Sequence, residues 1–172
     1  FRTMSFTMLF LIFANVADST TFSVSLFAIE LSLFKTEKCL KFAIRNKFDE
    51  VVLLGVTGDR LDHTICNLGI VIKFFGKIKV YLSVESSFLT SINQTTEFNS
   101  KVGETISIYA FNDKTKISST GLKYKLNNTA LPFGVRESTS NVSTSEKIIL
   151  KVKKGIVFVI RDFNFMKKHD LF

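Results

Sequence analysis

The sequence predicts an α/β half followed by a β half: a partial Rossmann-like parallel sheet domain, then a small antiparallel β-sandwich domain. Three observations lead there. From Thr36 to Val84, segments of helical period alternate with short β-branched runs, the order that builds a parallel sheet with helices packed on it. Beyond Lys101 no strong helical period remains, and apolar residues alternate in short runs instead, as antiparallel strands do. Between the two, Ser86 to Ser100 is dominated by Ser, Thr and Asn, which suits a boundary with short extended pieces. The expected division is therefore 1–85, a boundary at 86–100, and 101–172.

Composition narrows the class of function. The 172 residues, 46% hydrophobic and 22% charged, belong to a globular chain with enough material for one ordinary or two small domains. The net charge of +8 suits an anionic ligand such as a nucleotide, and equally nucleic acid or a membrane surface. The lysines are scattered rather than massed and no nucleic-acid signature is present, which favours a small anionic ligand or plain solubility. Cys39 and Cys66 fall on predicted helices among apolar neighbours, with no C-x-x-C spacing. That argues against zinc and for buried, reduced thiols in a cytoplasmic protein.

Met8 to Phe13 is apolar but too short to span a bilayer. It reads as a buried first strand in preference to a signal-peptide core, because only Arg2 precedes it and the small-residue spacing after it is poor. Asp18 to Phe34 shows neither alternation nor helical period and receives no assignment. From Thr36, Leu40, Ala43, Ile44 and Phe48 recur at helical spacing, with Thr36 as the expected N-cap and Glu37 in the first turn. Val51 to Leu54 is the next strand. A second helix, Leu61 to Phe75, presents Ile65, Leu68, Ile72 and Phe75 on its apolar face and stops at Gly76. Lys79 to Val84 is a further strand. In the second half Thr105 to Phe111 alternates, and Lys114 to Leu126 is extended. Lys147 to Val152 turns through Gly155 into Ile156 to Arg161, a hairpin pattern with glycine at the positive-φ position. The tail from Asp162 reads as surface or a short closing segment. Tripeptides starting at Asn93, Asn127 and Asn141 fit the N-glycosylation pattern, but without a convincing secretory signal they read as coincidence.

The chemistry concentrates between Gly55 and Asn67, where a strand runs through a tight polar turn into a helix. Free backbone N–H groups and the positive end of the helix dipole make such a turn a seat for phosphate, and Asp59, Arg60, Asp62 and His63 crowd into it. Two readings stand: a phosphate-handling loop, or Asp59 as a helix cap with Asp62 in a first turn that favours acids anyway. Two further polar clusters, Ser118 to Tyr124 and Ser138 to Asn141, read as turns or as a site. In the second case the Tyr124 ring would stack on a heteroaromatic ligand, with Ser138, Ser140 and Asn141 as donors and acceptors.

Three stretches, Gly55 to Asn67, Thr120 to Leu131 and Ser138 to Asn141, occur in the order and spacing of the thiamine pyrophosphokinases. The chain resembles that family continuously from about Thr36 to Ile160. The resemblance implies transfer of the pyrophosphoryl group of ATP to thiamine, with Mg²⁺, giving thiamine diphosphate and AMP. It implies a cytoplasmic homodimer with active sites between subunits, and neither a nucleic-acid nor a membrane partner. Asp62 and Arg60 fall on the family's R-[LF]-D motif: Asp62 would ligate Mg²⁺ or orient the attacking hydroxyl, and Arg60 would steady the phosphates. Thr57, Gly58 and Arg60 would bind nucleotide; His63, Tyr124, Ser138, Ser140 and Asn141 would bind thiamine. The chain departs from the pattern at Asp59, where the family has Gly, and at Lys35, where it has Asp. A G-D-x-D-S segment is missing upstream. The expectation is an N-terminal part truncated or divergent, with a catalytically inactive thiamine-binding or dimerisation remnant as the alternative to an enzyme.

Overall fold

The computed structural model describes residues 8–17, 21–30, 35–57 and 60–172, and the chain divides into two compact units between Val84 and Glu85. The first unit holds β1 (Met8–Ala17), β2 (Thr21–Glu30), α1 (Lys35–Arg45), β3 (Glu50–Leu54), α2 (Leu61–Phe74) and β4 (Lys79–Val84). Its strands lie side by side in the order β4, β3, β1, β2.

This sheet is mixed, and the expectation of a wholly parallel one is corrected. β3 and β4 pair parallel, with Val51 opposite Val80 and Leu53 opposite Leu82, as their helical crossover requires. β1 pairs antiparallel with both β2 and β3. The reason is the link between β1 and β2: residues 18–20 are too few for a crossover, so the two strands run antiparallel. β2, β3 and β4 share one direction, and β1 alone runs against them. The unassigned stretch from Asp18 to Phe34 thus contains a strand, whose alternation from Thr21 to Leu26 is broken by the apolar run Phe27 to Ile29.

Burial in this unit centres on β3, β4 and the inner faces of the two helices. Val51, Leu53, Leu40, Ala43 and Val71 are fully enclosed, each worth about 1.5–3 kcal/mol for the larger side chains. α1 begins at Lys35, so Thr36 lies inside the helix, buried, and does not cap it as expected. Glu37 occupies the first turn as anticipated, and it accepts from Lys41 at 2.7 Å and from Lys73 of α2 at 2.8 Å. Those two ammonium groups hold the Glu37 carboxyl down at about 2. Because that value is depressed, the stabilisation from this link is complete above the ordinary carboxylate range. It is lost only as pH falls through about 2.

The inner face of α2 is also corrected. Val71 and Phe74 are the buried residues, whereas Ile65 is 61% exposed. Apolar residues sit on most of the circumference of α2, so spacing alone does not fix the rotation of the helix about its axis. The same rotation leaves the Cys66 thiol exposed while Cys39 on α1 is buried, and neither forms a disulfide. No helix among the described residues is long and apolar enough to cross a membrane.

The second unit holds β5 (Ser87–Ile92), β6 (Thr96–Asn99), β7 (Thr105–Ala110), β8 (Lys116–Thr120), β9 (Thr129–Ala130), β10 (Ser138–Val142), β11 (Lys147–Lys153), β12 (Val157–Asp162) and α3 (Phe163–Lys168). Here β5, β12, β7 and β10 lie side by side, and a separate antiparallel sheet runs β6, β11, β8, β9. Alternation predicts the buried faces: Ile106, Ile108 and Ala110 of β7, and Ile148, Leu150 and Val152 of β11, enter one apolar cluster with Ile117, Val157 and Val159. The tail closes as a short helix whose N-cap Asp162 accepts from the Phe165 amide at 2.8 Å.

β11 and β12 do not form the expected hairpin. β11 pairs with β6 and β8, and β12 pairs with β5 and β7, so the turn at Lys154 and Gly155 carries the chain from one sheet to the other. Both strands direct an apolar face at the shared cluster, and lying in different sheets they meet it from opposite sides. Gly155 does take a positive φ of 108°, and a Cβ there would collide with the Thr115 hydroxyl.

One buried ion pair ties the two sheets of this unit. Arg161 on β12 donates to Glu104 through Nε at 2.6 Å and Nη2 at 2.9 Å, and to the carbonyl of Asn99 on β6 at 2.6 Å. Ser100 Oγ donates to Glu104 Oε2 at 2.6 Å. Glu104 is fully enclosed and Arg161 is nearly so, so removing one partner strands the other charge in the interior. Glu104→Ala is expected to cost roughly 3–5 kcal/mol in chemical denaturation; a loss below about 1 kcal/mol would show that the pair does not hold the sheets together.

Candidate functional site

The first group of site residues is built by the corner between β3 and α2. β3 ends at Leu54, and Gly55 then takes φ 67°, a conformation that costs glycine nothing and a side-chain-bearing residue about a kcal/mol or more. Val56 is buried and Thr57 half-buried. Gly58 and Asp59 lie outside the described residues, and with them the cap role weighed for Asp59. Arg60 occupies the N-cap position of α2 in an extended conformation, with no side-chain cap hydrogen bond.

Asp62 stands in the first turn, and Arg60 folds over it in a two-pronged pair. Nε to Oδ1 is 3.2 Å and Nη2 to Oδ2 is 2.5 Å, the fork geometry that matches guanidinium to carboxylate. The Arg60 guanidinium, followed by the backbone N–H of His63, holds the Asp62 carboxyl below the usual aspartate range. Both side chains are largely exposed, so the pair is open to a ligand. His63 completes the group. Its Nε2 lies 4.0 Å from Asp62 Oδ2 and is buried with no hydrogen-bond partner among the described residues, an unsatisfied polar atom directed at the same carboxylate.

A magnesium ion takes near-octahedral oxygens and is commonly held by one or two carboxylates together with substrate phosphates. Among the described residues no group of three or more His, Cys, Asp or Glu side chains is assembled for a metal, and both oxygens of Asp62 already face Arg60. These residues do not make a metal site by themselves.

The second group is held by Asn141. Its Oδ1 accepts from the amides of Tyr124 at 3.0 Å and Val142 at 2.9 Å. Its Nδ2 donates to the Tyr124 carbonyl at 2.8 Å and to Ser138 Oγ at 3.2 Å. The side chain is 1% exposed, and its hydrogen-bonding capacity is taken up within the chain. The fold therefore brings Tyr124, Ser138 and Asn141 together, with Asn141 inside and the Tyr124 ring 60% exposed above it. Further bonds, Lys123 N to Val142 O and Thr144 N to Gly121 O, both 2.8 Å, fasten the two segments to each other. Ser140 takes φ 51° and is exposed, with its amide donating to Ser107 Oγ at 3.0 Å. Asn141 also opens one of the three sequons, and its burial leaves no room for a glycan.

Two residues of these groups carry weight that sequence reasoning did not assign. Lys123 Nζ stands 5.5 Å from the Tyr124 ring centroid, a cation over the face offered for stacking. Asn67, at the end of the quoted motif, donates from Nδ2 to the Val56 carbonyl at 2.6 Å. The signal for it was present: an amide inside a helix competes with the backbone and gains nothing from the helix itself.

Comparison with known proteins matches the two groups to two successive domain descriptions. Residues 34–82 match the thiamin pyrophosphokinase catalytic domain, and residues 90–157 match the thiamin pyrophosphokinase vitamin B1 binding domain. The chain belongs to the thiamin pyrophosphokinase family. Among curated relatives, thiamin pyrophosphokinase 1 of Caenorhabditis elegans is 32% identical over 130 residues, which cover 72% of this chain and 54% of that protein. Thiamine pyrophosphokinase 1 of rice is 23% identical over 135 residues, covering 72% and 51%. The chain thus spans about half the length of the curated relatives it matches. The thiamine pyrophosphokinase of Bacillus subtilis superposes with a TM-score of 0.65 at 25% identity, covering 73% of this chain and 60% of that one. The enzyme from Geobacillus thermodenitrificans shares the fold at TM-score 0.66 and 23% identity, covering 78% and 63%.

The Arg60–Asp62 geometry makes a direct prediction. Arg60→Met removes the cation and should raise the Asp62 carboxyl, followed by carbon NMR through a pH titration, toward the ordinary aspartate range. An unmoved titration would mean that Arg60 does not govern the charge of Asp62 in solution.

Proposed function

We propose that the chain acts as a thiamine pyrophosphokinase, transferring the pyrophosphoryl group of ATP to thiamine and releasing AMP. The observation that carries the reading is the two-pronged Arg60–Asp62 pair at the start of α2, inside the segment matched to the family's catalytic domain. In the reaction the hydroxyl of thiamine attacks the β-phosphorus, the bond from that phosphorus to the α,β-bridging oxygen breaks, and AMP departs with the bridging oxygen. Such a transfer calls for positioning and charge neutralisation more than for a covalent nucleophile.

The residue roles follow from the corner. Thr57, Gly58 and Arg60 receive the phosphates at the positive end of α2, and the guanidinium fork has N–H donors beyond the two spent on Asp62. Asp62, kept ionised by Arg60, orients the attacking hydroxyl and accepts its hydrogen bond. Asp62 is the carboxylate of this loop, among the described residues, that could approach a divalent ion carried in with ATP, which would neutralise phosphate charge. His63, beside Asp62, contacts substrate in this reading. In the second unit Tyr124 provides a ring for the thiamine pyrimidine, Ser138 and Ser140 provide hydroxyls, and Asn141 serves by fixing the Tyr124 backbone. Residues 1–85 are then the nucleotide-handling part, a Rossmann-like sheet with one reversed strand, and residues 101–172, with β5 and β6 completing their two sheets, are the thiamine-binding sandwich. A cytoplasmic homodimer belongs to the same reading.

Asp62→Ala is expected to abolish thiamine-dependent AMP production from ATP, a loss of at least about a hundredfold against the wild-type chain, with an unchanged melting temperature. Full activity in that variant would remove Asp62 from the chemistry. ATP and thiamine left untouched by the wild-type chain would overturn the enzyme reading itself.

A further inference from the structure

Asn67 stands one turn beyond His63 on the same stripe of α2, the stripe that also carries Arg60 and Thr64. Its side-chain amide reaches back eleven positions in the chain to the carbonyl of Val56, at 2.6 Å. That carbonyl follows the positive-φ glycine, where the strand ladder has ended, so it needs a donor from elsewhere to be satisfied away from bulk water. Val56 is therefore held twice: its side chain is buried, 5% exposed, and its carbonyl is held by Asn67. The helix side of the corner is fixed by the first turn of α2, where Thr64 N donates to the Arg60 carbonyl at 3.3 Å. The Asn67 bond is the described hydrogen bond that spans both sides, joining the strand exit to the body of the helix.

We infer that Asn67 is a positioning residue for phosphate transfer: its amide sets the spacing between the strand exit at Val56 and Thr57 and the Arg60–Asp62 pair. The inference rests on the proposed function and adds to it a residue that touches no substrate. A residue chosen for helix stability at this position would be alanine or leucine, whereas asparagine costs several tenths of a kcal/mol in a helix interior. The donor is what the position requires. Aspartate has the same shape and, when ionised, cannot donate; when protonated it can.

The test uses the whole chain and three versions of residue 67. Amide hydrogen exchange is followed at residues 55–57 and at 68–74 from about pH 3 to pH 8 against the wild-type chain at each pH, and thiamine-dependent AMP release is followed at pH 8. For Asn67→Ala, exchange at 55–57 is expected to rise at least about tenfold while 68–74 keeps its protection, with kcat reduced about tenfold or more and KM for thiamine little changed. Asn67→Asp should match the alanine variant at pH 8 and approach wild-type protection at about pH 3, below the ordinary aspartate value of about 3.9, where the carboxyl regains its proton. A role in packing alone would give Asn67→Asp no such recovery. Wild-type exchange at 55–57 in both variants, or an aspartate variant indifferent to pH, would overturn the inference. If the wild-type chain releases no AMP, the proposed function fails, and the exchange pattern still decides whether Asn67 holds the corner.

Discussion

The reversal of backbone direction at Gly55 is the constraint on which the first unit's chemistry depends. A strand buried on the scale of Val51 and Leu53 must end abruptly if the following helix is to present its N-terminus at the sheet edge. The φ of 67° at Gly55 provides that break without a Cβ penalty. Everything chemical in the unit follows within a few residues: a carbonyl that needs a donor, a helix start without a side-chain cap, and an Arg–Asp pair in the first turn. Phosphate binding at such a corner uses groups that the helix leaves unsatisfied in any case.

The second unit solves a different problem. Its strands bury one common core from two sheets, and the connection from β11 to β12 must change sheets at a single turn. Arg161 and Glu104 fasten that arrangement from inside, and Arg161 also stacks toward the Phe98 ring at 5.7 Å. On this framework Asn141 does for the segment at Tyr124 what Asn67 does for the corner at Val56. In both places a side-chain amide, buried at Asn141 and half-buried at Asn67, satisfies backbone groups outside the ladders, with a more exposed residue beside it. The shared device is internal satisfaction of the backbone, which frees the neighbouring functional groups.

What could be read from the sequence was what local pattern determines. The turn after Leu54, the acid in the first turn of α2 and the alternation of β7 and β11 all follow from spacing and residue type, and the structure carries them. The rotation of α2 could not be read, because Ile65, Leu68, Ile70, Val71, Ile72 and Phe74 cover too much of the helix for any one stripe to stand out. β2 is legible only in part: Thr21 to Leu26 alternates polar with apolar, and the apolar run Phe27 to Ile29 then breaks the period. The β11–β12 connection misled because turn chemistry at Gly155 is the same whether the flanking strands pair or separate; pairing partners are a long-range property. The donors of Asn141 were legible as donors, but that they would be used on Tyr124, seventeen positions away, was not.

The central claim is that the β3–α2 corner receives phosphate and the Tyr124–Asn141 cluster receives thiamine. Amide chemical-shift mapping on the isotopically labelled chain, titrated separately with magnesium ATP and with thiamine, tests it most directly. The account predicts that ATP shifts the amides of Thr57, Arg60, Asp62 and His63, and that thiamine shifts those of Lys123, Tyr124, Ser138 and Ser140. Shifts from ATP confined to the second cluster, or saturating ATP that leaves Arg60 and Asp62 unmoved, would contradict it.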